Sequence, residues 1–336
     1  MGKVTIQPLF SYTNLLKSII SKNHIDHRLF KSGRHSLDYA LREIISNNPR
    51  FKNILLPKLI CNEIIPYIEK HKININYYNI EDNLNIDVKD LDNIVNDKPT
   101  IILVVNYFGF PADWRLINNL MERKDCLVIE DNAHSYPNDS IKNIKSDYSF
   151  DSYRKILPVL SGSMLKKKNH ATLLANIAET RMPSRSEIIY SLRYIKNFFS
   201  NKSYKNKTVV ESVDKNNKID SISNAIIRGN SFNRLSIIKK RQQNYLFWRK
   251  YLNDKEVIFF DNLKLTKETC PYAFPCYAKN QSGIAYWKKW GVENNINIIA
   301  WPDFPLIIEN DMQSSNLGRI ILFPVNHQFD LNKRIG

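Results

Sequence analysis

Polar residues that could hold an anion or a proton stand next to two apolar segments of the chain. Asp131 follows the apolar run CLVIE, so it would lie at the carboxyl end of a buried strand, where open α/β sheets bind their ligands. Gly33, Arg34 and His35 precede the amphipathic segment LDYALREII. A turn that opens a helix presents backbone N–H groups and the positive end of the helix dipole to an anion. The first chemistry indicated is therefore a buried carboxylate together with an anion-binding turn.

Two hydroxyl groups are candidates for the same anion. Ser149 and Ser152 both lie in the segment DYSFDSYRK, and the sequence does not choose between them. Ser149 could instead have only a structural role, as the polar residue of a strand in which Ser and Phe alternate. Asp131 has a structural alternative too, as a helix N-cap or turn aspartate.

Composition narrows the class of protein. The chain has 336 residues, a formal net charge of +16 and 43% hydrophobic residues, which is typical of a globular enzyme of one large domain with a smaller companion. The lysines are scattered among Asn and Ile, so we expect no nucleic-acid partner. The basic, aromatic segment RLSIIKKRQQNYLFWRK fits an amphipathic packing helix better than a nucleic-acid helix.

Cysteine and histidine usage argues against a disulfide-rich or metal-binding protein, and the apolar runs argue against a membrane-spanning one. The four cysteines match no zinc spacing and the seven histidines are dispersed, so we expect reduced thiols and no metal site. No apolar run approaches the ~18–20 residues of a membrane span. The first residues lack the apolar centre of a signal peptide, which predicts a cytoplasmic protein without a membrane partner.

Alternation of apolar runs and helical patterns predicts the fold class. Strand-like runs occur in ILLPKLIC, ININYYNI, TIILVVNYFGF and DCLVIEDNAH, and helices are predicted in SLDYALREIISNN and RLINNLMERK. Near-continuous apolar strands that alternate with helices indicate a buried, mostly parallel, doubly wound α/β sheet with helices on both faces.

The pattern divides the chain into two predicted domains. Residues 1–235 would form the large α/β domain, with an irregular Lys/Asn/Ser-rich excursion at about 166–231. The long helix LSIIKKRQQNYLFWRKYL would connect the domains. Residues 236–336 would form a smaller α+β domain from YAFPCYA, YWKKWGVENN, INIIAW and RIILFPV.

Three sequence motifs occur in this order along the chain: SGRHSLDYAL, IEDNAH and DYSFDSYRKILPVLSGS. The segments LLPKLIC, VVNYFGFPADW, RQQNY, NIIAWP and RIILFPVNHQF accompany them at plausible separations. Each motif is weak by itself, but the ordered set resembles the sugar aminotransferase family named after DegT, DnrJ, EryC and StrS. The resemblance covers most of the chain. It implies a fold-type I architecture and pyridoxal 5'-phosphate as cofactor.

The resemblance implies roles for three residues. Lys155 aligns with the family's Schiff-base lysine, although a random lysine in so basic a chain would be a solvated surface residue. Asp131 matches the carboxylate that keeps the pyridine nitrogen protonated, so that the ring acts as an electron sink. His134 matches a Gln or His that approaches the phenolic oxygen of the cofactor, with a surface histidine as the alternative.

The resemblance also implies a phosphate site. Gly33, Arg34 and His35 match the family's Gly-Thr-Ala-type turn, and Ser149 or Ser152 would supply a hydroxyl. We therefore expect Gly33–Ser36 to open a helix close to Lys155.

Three positions depart from the family pattern. Gly162-Ser163 replaces a frequent Gly-Gly pair, and Asn106 replaces a frequent His. Cys61 stands where an aromatic residue would stack on the cofactor ring, a choice that a related branch with LPxxxC and RK motifs shares.

The function implied is transfer of an amino group, with glutamate as donor, to a nucleotide-linked keto sugar in aminosugar or surface polysaccharide biosynthesis. Family members build the site across a homodimer, so two chains are expected. One alternative is another pyridoxal-phosphate reaction on a sugar, such as dehydration. The dehydratase branch carries His in place of the lysine, and Lys155 therefore argues against it. The other alternative is a degenerate, non-catalytic family member that serves as a binding or regulatory partner.

Overall fold

The computed structural model describes residues 3–8, 29–95, 98–136, 145–168, 180–185, 188, 217–230, 233–301 and 303–335. Most of the predicted excursion at 166–231 lies outside the described residues.

The described strands and helices are numbered here in chain order. The strands are β1 (Leu29–Phe30), β2 (Asn53–Pro57), β3 (Asn74–Tyr78), β4 (Thr100–Val105), β5 (Cys126–Asn132), β6 (Tyr148–Asp151), β7 (Ser163–Lys167), β8 (Val257–Phe259), β9 (Ala273–Ala278), β10 (Ile299–Ala300) and β11 (Ile320–Pro324). The helices are α1 (Gly33–Asn47), α2 (Ile65–Glu69), α3 (Val88–Ile94), α4 (Trp114–Arg123), α5 (Ser221–Asn230), α6 (Arg234–Tyr251), α7 (Gln281–Glu293), α8 (Glu309–Ser314) and α9 (Asn332–Ile335).

A seven-stranded sheet forms the larger body. Its order is β3-β2-β4-β5-β6-β7-β1. The five strands from β2 to β6 run parallel, and β7 runs antiparallel to both of its neighbours, β6 and β1. Every residue of β4 is buried, as expected for a strand covered on both faces. The predicted mostly parallel α/β sheet is therefore confirmed.

Parallel strands bring their carboxyl ends to one edge of the sheet. The residues that follow β2, β4, β5 and β6 therefore meet there, although they are far apart in sequence. Helix α1 packs against β6 and β7, with Leu37, Leu41 and Ile44 buried at helical spacing. Its first turn reaches the same edge.

A smaller antiparallel sheet has the order β10-β11-β9-β8, and α6 and α7 pack beside it. Trp248 of α6 is fully buried, and its indole N–H donates to the Pro324 carbonyl at 2.7 Å. The amino-terminal segment also joins this body, because Val4 exchanges backbone hydrogen bonds with Asn295 and Asn297, each at 2.8 Å. In the described part of the chain, no helix combines the length and hydropathy needed to cross a bilayer.

Candidate active site

Asp131 occupies the carboxyl end of β5, opposite Val105 of β4 and Phe150 of β6. The apolar run before it forms the buried strand, and the carboxylate stands where that strand leaves the core. Its Oδ1 accepts the Ala133 N–H at 2.8 Å. Burial raises the pKa of Asp131 to about 6, while this hydrogen bond and Lys155 act in the opposite direction. The site therefore contains a buried carboxyl group that titrates near neutrality.

His134 lies three residues further on, in a stack of aromatic rings. Its imidazole is nearly parallel to the rings of Phe108 and Tyr272, with centroids at 5.6 and 4.6 Å, and Trp301 meets it edge-on at 5.3 Å. Nδ1 accepts the Phe108 backbone N–H at 3.2 Å. Burial, helped by Lys155, holds the pKa of His134 well below its usual range, so the ring is neutral.

Lys155 ends the short 3₁₀ turn Tyr153–Lys155, which directly follows β6 and Ser152. Its Nζ lies 2.9 Å from Nε2 of His134 and 5.2 Å from the centre of the Tyr272 ring. The amine is therefore held inside the site rather than in solvent. Lys155 and His134 meet directly, and the Lys155 charge also acts on Asp131.

Cys61 follows β2 and precedes the 3₁₀ turn Asn62–Ile64. Burial raises the pKa of the Cys61 thiol to about 11; Glu63 adds to the rise and Lys155 opposes it. The thiol is therefore protonated at neutral pH, and its influence comes from its size and polarizability rather than its nucleophilicity. The Asn62 N–H donates to the Asp303 carbonyl at 2.9 Å, which ties this segment to the carboxyl-terminal part of the chain.

The first turn of α1 lies against the end of β6. A Cβ on Gly33 would come within 3.2 Å of the Phe150 ring, tighter than an ordinary contact, so the ring would have to shift to admit a side chain there. Ser32, the N-cap, makes no capping hydrogen bond to the helix through its side chain, and its Oγ lies 2.8 Å from Nδ1 of His35. The helix start is therefore at the same sheet edge as Lys155.

Arg34 of this turn contacts the segment that follows Cys61. It forms an ion pair with Glu63 at 3.4 Å and lies over the ring of Tyr67. A cation at this position would draw an anion to the amino end of α1.

The two candidate serines have different surroundings. Ser149 pairs with Glu130 across the β5–β6 ladder, so its side chain is on the face opposite to Asp131, and its Oγ accepts from Asn132 Nδ2 at 2.9 Å. Ser152 is buried at the end of β6, and its carbonyl accepts the Lys155 N–H at 3.2 Å. Ser152 is therefore next to the turn that carries Lys155, whereas Ser149 is not.

The residues that depart from the family pattern after β4 and in β7 make specific hydrogen bonds. Asn106 donates to Glu130 Oε1 at 2.7 Å and accepts the Ala112 N–H at 2.8 Å, on the Ser149 face of the sheet. Ser163 bonds to Ser36 Oγ at 2.7 Å and donates to the Asp151 carbonyl, so it ties β7 to the start of α1. Gly162 has φ +132°, a conformation that requires glycine.

Four site residues were missed in the sequence: Phe108, Tyr272, Trp301 and Arg241. Arg241 is fully buried in α6 and donates to the carbonyls of Pro271 at 3.0 Å, Tyr272 at 3.2 Å and Lys155 at 3.5 Å. The segments NYFGF, RQQNY and NIIAWP contain Phe108, Arg241 and Trp301, but no spacing in them shows that they meet His134 or Lys155. Among the described residues, no group of three or more His, Cys, Asp or Glu side chains could hold a metal ion.

Sequence comparison finds a family similarity in the middle of the chain. Residues 73–152, from β3 to the start of the lysine turn, match the sequence profile of the DegT/DnrJ/EryC1/StrS aminotransferase family. This stretch of the chain is therefore similar to the family. Two curated relatives are GDP-4-keto-6-deoxy-D-mannose 3-dehydratases, from Yersinia pseudotuberculosis and Escherichia coli O55:H7, each 29% identical over 94 residues. That alignment covers 27% of this chain and 24% of each relative, so it spans about a quarter of their length.

Solved structures resemble the whole chain. The E. coli GDP-4-keto-6-deoxy-D-mannose-3-dehydratase with bound hydrated PLP has a TM-score of 0.65 at 17% identity, with 98% of this chain and 97% of that one covered. The putative sugar aminotransferase Spr1654 from Streptococcus pneumoniae reaches 0.70 at 10% identity, covering 98% and 95%. PseC from Helicobacter pylori, an aminotransferase involved in pseudoaminic acid biosynthesis, reaches 0.68 at 13%, also covering 98% and 95%. The predicted fold-type I architecture of the chain is thus confirmed.

Proposed function

We propose that this protein is a pyridoxal-phosphate-dependent aminotransferase of the DegT family that moves an amino group from an amino acid, glutamate by family resemblance, to a nucleotide-linked keto sugar. The observation that carries the proposal is the position of Lys155: its amine is 2.9 Å from His134, beside the buried Asp131, at the carboxyl ends of the parallel strands.

The donor set fits pyridoxal phosphate at each of its functional groups. Asp131 is a buried carboxyl group of the kind that pairs with a ring nitrogen, and Lys155 supplies the amine. The amino end of α1, with Gly33 and Arg34, supplies amide donors and positive charge for a phosphate. We propose Ser152 as the phosphate hydroxyl, because Ser149 bonds to Asn132 on the other face of the sheet.

When bound, pyridoxal phosphate supplies an aldehyde that condenses with amines and a ring that withdraws electrons. Asp131 would hold the proton on the ring nitrogen. Lys155 would be the amine that the aldehyde binds and, once the amino donor displaces it, the base that takes the proton from the donor's α-carbon and returns it to the cofactor. Cys61 would cover one side of the ring as a compact, uncharged group, since its thiol stays protonated.

The sugar substrate is proposed from the relatives and from charge. The curated relatives are named for a GDP-linked keto sugar, and one solved structure holds GDP-perosamine in a mutant of such a dehydratase. The net charge of +16 favours an anionic substrate such as a nucleotide diphosphate. By family resemblance we also propose a homodimer working in the cytoplasm.

Dehydration is the second candidate function, since the aligned relatives are dehydratases. Lys155 separates the two reactions: the dehydratase branch carries His at the lysine position, whereas this chain retains a lysine inside the site. Aminotransfer is therefore the preferred assignment. The retained Lys155, Asp131 and His134 likewise favour an enzyme over a non-catalytic partner.

The test has two stages. Purified protein should be yellow when cofactor is bound, and a colourless protein that stays colourless with added pyridoxal phosphate would favour the binding-partner alternative. Incubation with a panel of nucleotide-linked keto sugars and glutamate should then yield an aminated sugar by mass spectrometry, together with 2-oxoglutarate. A product that has lost a hydroxyl group and gained no nitrogen would instead assign dehydration.

A further inference from the structure

Gly162 and Ser163 connect the two segments that would form the phosphate site. Gly162 makes its connections through the backbone: its N–H donates to the Lys31 carbonyl at 2.8 Å, and its carbonyl accepts the Tyr153 N–H at 3.0 Å. Lys31 lies two residues before α1, and Tyr153 begins the turn of Lys155. Because these bonds use only backbone groups, the Gly-Gly pair that is frequent in the family would keep them.

Ser163 adds a connection that glycine cannot make. Its hydroxyl donates to the Asp151 carbonyl, so its hydrogen is used there. In the 2.7 Å contact between the Ser163 and Ser36 hydroxyls, Ser36 is therefore the donor and Ser163 the acceptor. Both serines are fully buried, and Asp151 is nearly so. We call these two bonds the serine link, because they run from the first turn of α1 through the start of β7 to the end of β6.

The serine link joins the two sets of groups that we assign to a phosphate. Ser36 is in the first turn of α1, where backbone N–H groups have no partner inside the helix. Asp151 immediately precedes Ser152, the proposed phosphate hydroxyl. The two segments also touch directly, since a Cβ on Gly33 would lie 3.5 Å from the Asp151 carbonyl oxygen. A change at Ser163 would therefore alter the spacing between the helix amides and the Ser152 hydroxyl.

A phosphate group carries up to two negative charges and is held by several donors at once. Donors that are already in place bind it more tightly than donors that must first be ordered, because less conformational entropy is lost on binding. We propose that Ser163 is a positioning residue: its hydroxyl holds the amino end of α1 at the spacing from Ser152 that lets both contact one phosphate. Ser36 donates its hydrogen to Ser163, so it is not itself a phosphate donor. This inference rests on the proposed function, which supplies the phosphate of the cofactor.

The first test measures the coupling between Ser36 and Ser163 in the full chain, freed of cofactor by dialysis against hydroxylamine. Ser36→Ala and Ser163→Ala both remove the bond between the two hydroxyls. Because the two variants lose this same bond, the double variant should lower the midpoint of urea unfolding by less than the sum of the two single changes. Additive losses would show that the two serines act independently and would overturn the proposal.

The second test compares pyridoxal phosphate with pyridoxal, which lacks the phosphate, by absorbance titration of the cofactor-free chain. In Ser163→Gly, the dissociation constant of pyridoxal phosphate should rise about three- to tenfold, and that of pyridoxal should change less than about twofold. Ser36→Ala removes one end of the serine link at a helix position that suits alanine, and it should act in the same direction even where Ser163→Gly does not fold. Equal losses for the two ligands would assign Ser163 a structural role only and overturn the proposal.

Ser223→Ala is the matched control for the second test. Ser223 is a fully buried serine of α5, and its hydroxyl accepts the N–H groups of Leu160 and Ser161 at 2.9 and 3.0 Å. Its loss should cost stability, but it should leave the ratio of the two dissociation constants unchanged. A ratio that shifts as much in Ser223→Ala as in Ser163→Gly would remove the special role of Ser163 and contradict the proposal.

Inorganic phosphate tests the same site without the ring of the cofactor. Its dissociation constant from the cofactor-free chain, measured by calorimetry, should also rise about three- to tenfold in Ser163→Gly. This dependence in a chain that forms no yellow complex with pyridoxal phosphate would refute the proposed function alone. A wild-type chain that binds pyridoxal phosphate, with equal affinity for both phosphate ligands in Ser163→Gly, would refute this inference alone.

Discussion

Replacement of Asp131 by Asn should stabilise the cofactor-free chain while it disables the enzyme. In the folded protein, burial raises the pKa of this carboxyl from 3.8 to about 6. The folded state therefore binds the proton more tightly than the unfolded state, and ionisation of Asp131 opposes folding. The penalty is absent below the unfolded pKa and complete once the pH exceeds the folded pKa.

The size of the effect follows from the shift. A rise of roughly two pKa units corresponds to about 3 kcal/mol at about 1.36 kcal/mol per unit. Asparagine has nearly the same shape, and its carbonyl oxygen can still accept the Ala133 N–H, so most of this penalty should disappear. The expected gain for Asp131→Asn is about 2–3 kcal/mol at pH 7–8, decreasing towards zero near pH 4.

The assay is urea unfolding of the cofactor-free chain at several pH values. Asp254→Asn, a change at an exposed carboxyl, is the control and should alter stability by less than about 0.5 kcal/mol. With pyridoxal phosphate and glutamate, Asp131→Asn should slow the half-reaction by orders of magnitude, because an amide does not hold the ring proton. A variant less stable than wild type at pH 8, or one whose advantage grows towards pH 4, would refute the reasoning.

Three further outcomes are expected. Lys155→Ala should abolish aminotransfer with little change in fold, and borohydride reduction of wild type should place the pyridoxyl label on Lys155; a label on another lysine would contradict the assignment. Ser152→Ala should weaken pyridoxal phosphate binding by roughly three- to tenfold, as loss of one hydrogen bond predicts, whereas the matched Ser149→Ala should leave the dissociation constant unchanged, both measured by absorbance titration. Arg241→Met should lower the free energy of unfolding by about 2–4 kcal/mol, because the buried carbonyls that Arg241 contacts lose their donor. Unchanged stability, together with unchanged near-UV circular dichroism from Tyr272, would argue against Arg241 as the link between α6 and the segments of Tyr272 and Lys155.

The sequence by itself determined the sheet and the position of Asp131. Near-continuous apolar runs predict buried parallel strands, and a polar residue at the end of such a run must lie at the carboxyl edge. The same local logic predicts α1 from its helical spacing and the start of α1 at the turn of Gly33. These features depend on residues near one another in the chain, so their patterns are visible without a structure.

Only the tertiary structure decided which side chains meet at that edge. Phe108, Tyr272 and Arg241 belong to segments separated by many residues, and no periodicity records that they meet around His134 and Lys155. The sheet face on which Ser149 lies was equally hidden, because it depends on the register of β6 against β5, and a shift of one residue reverses the face on which a side chain lies. The hydrogen bond from the Phe108 N–H to His134 was hidden too, because its direction is set by the left-handed turn at Phe108. Contacts and directions of this kind arise from packing between distant segments, which is the physical reason that composition, spacing and local pattern left them open.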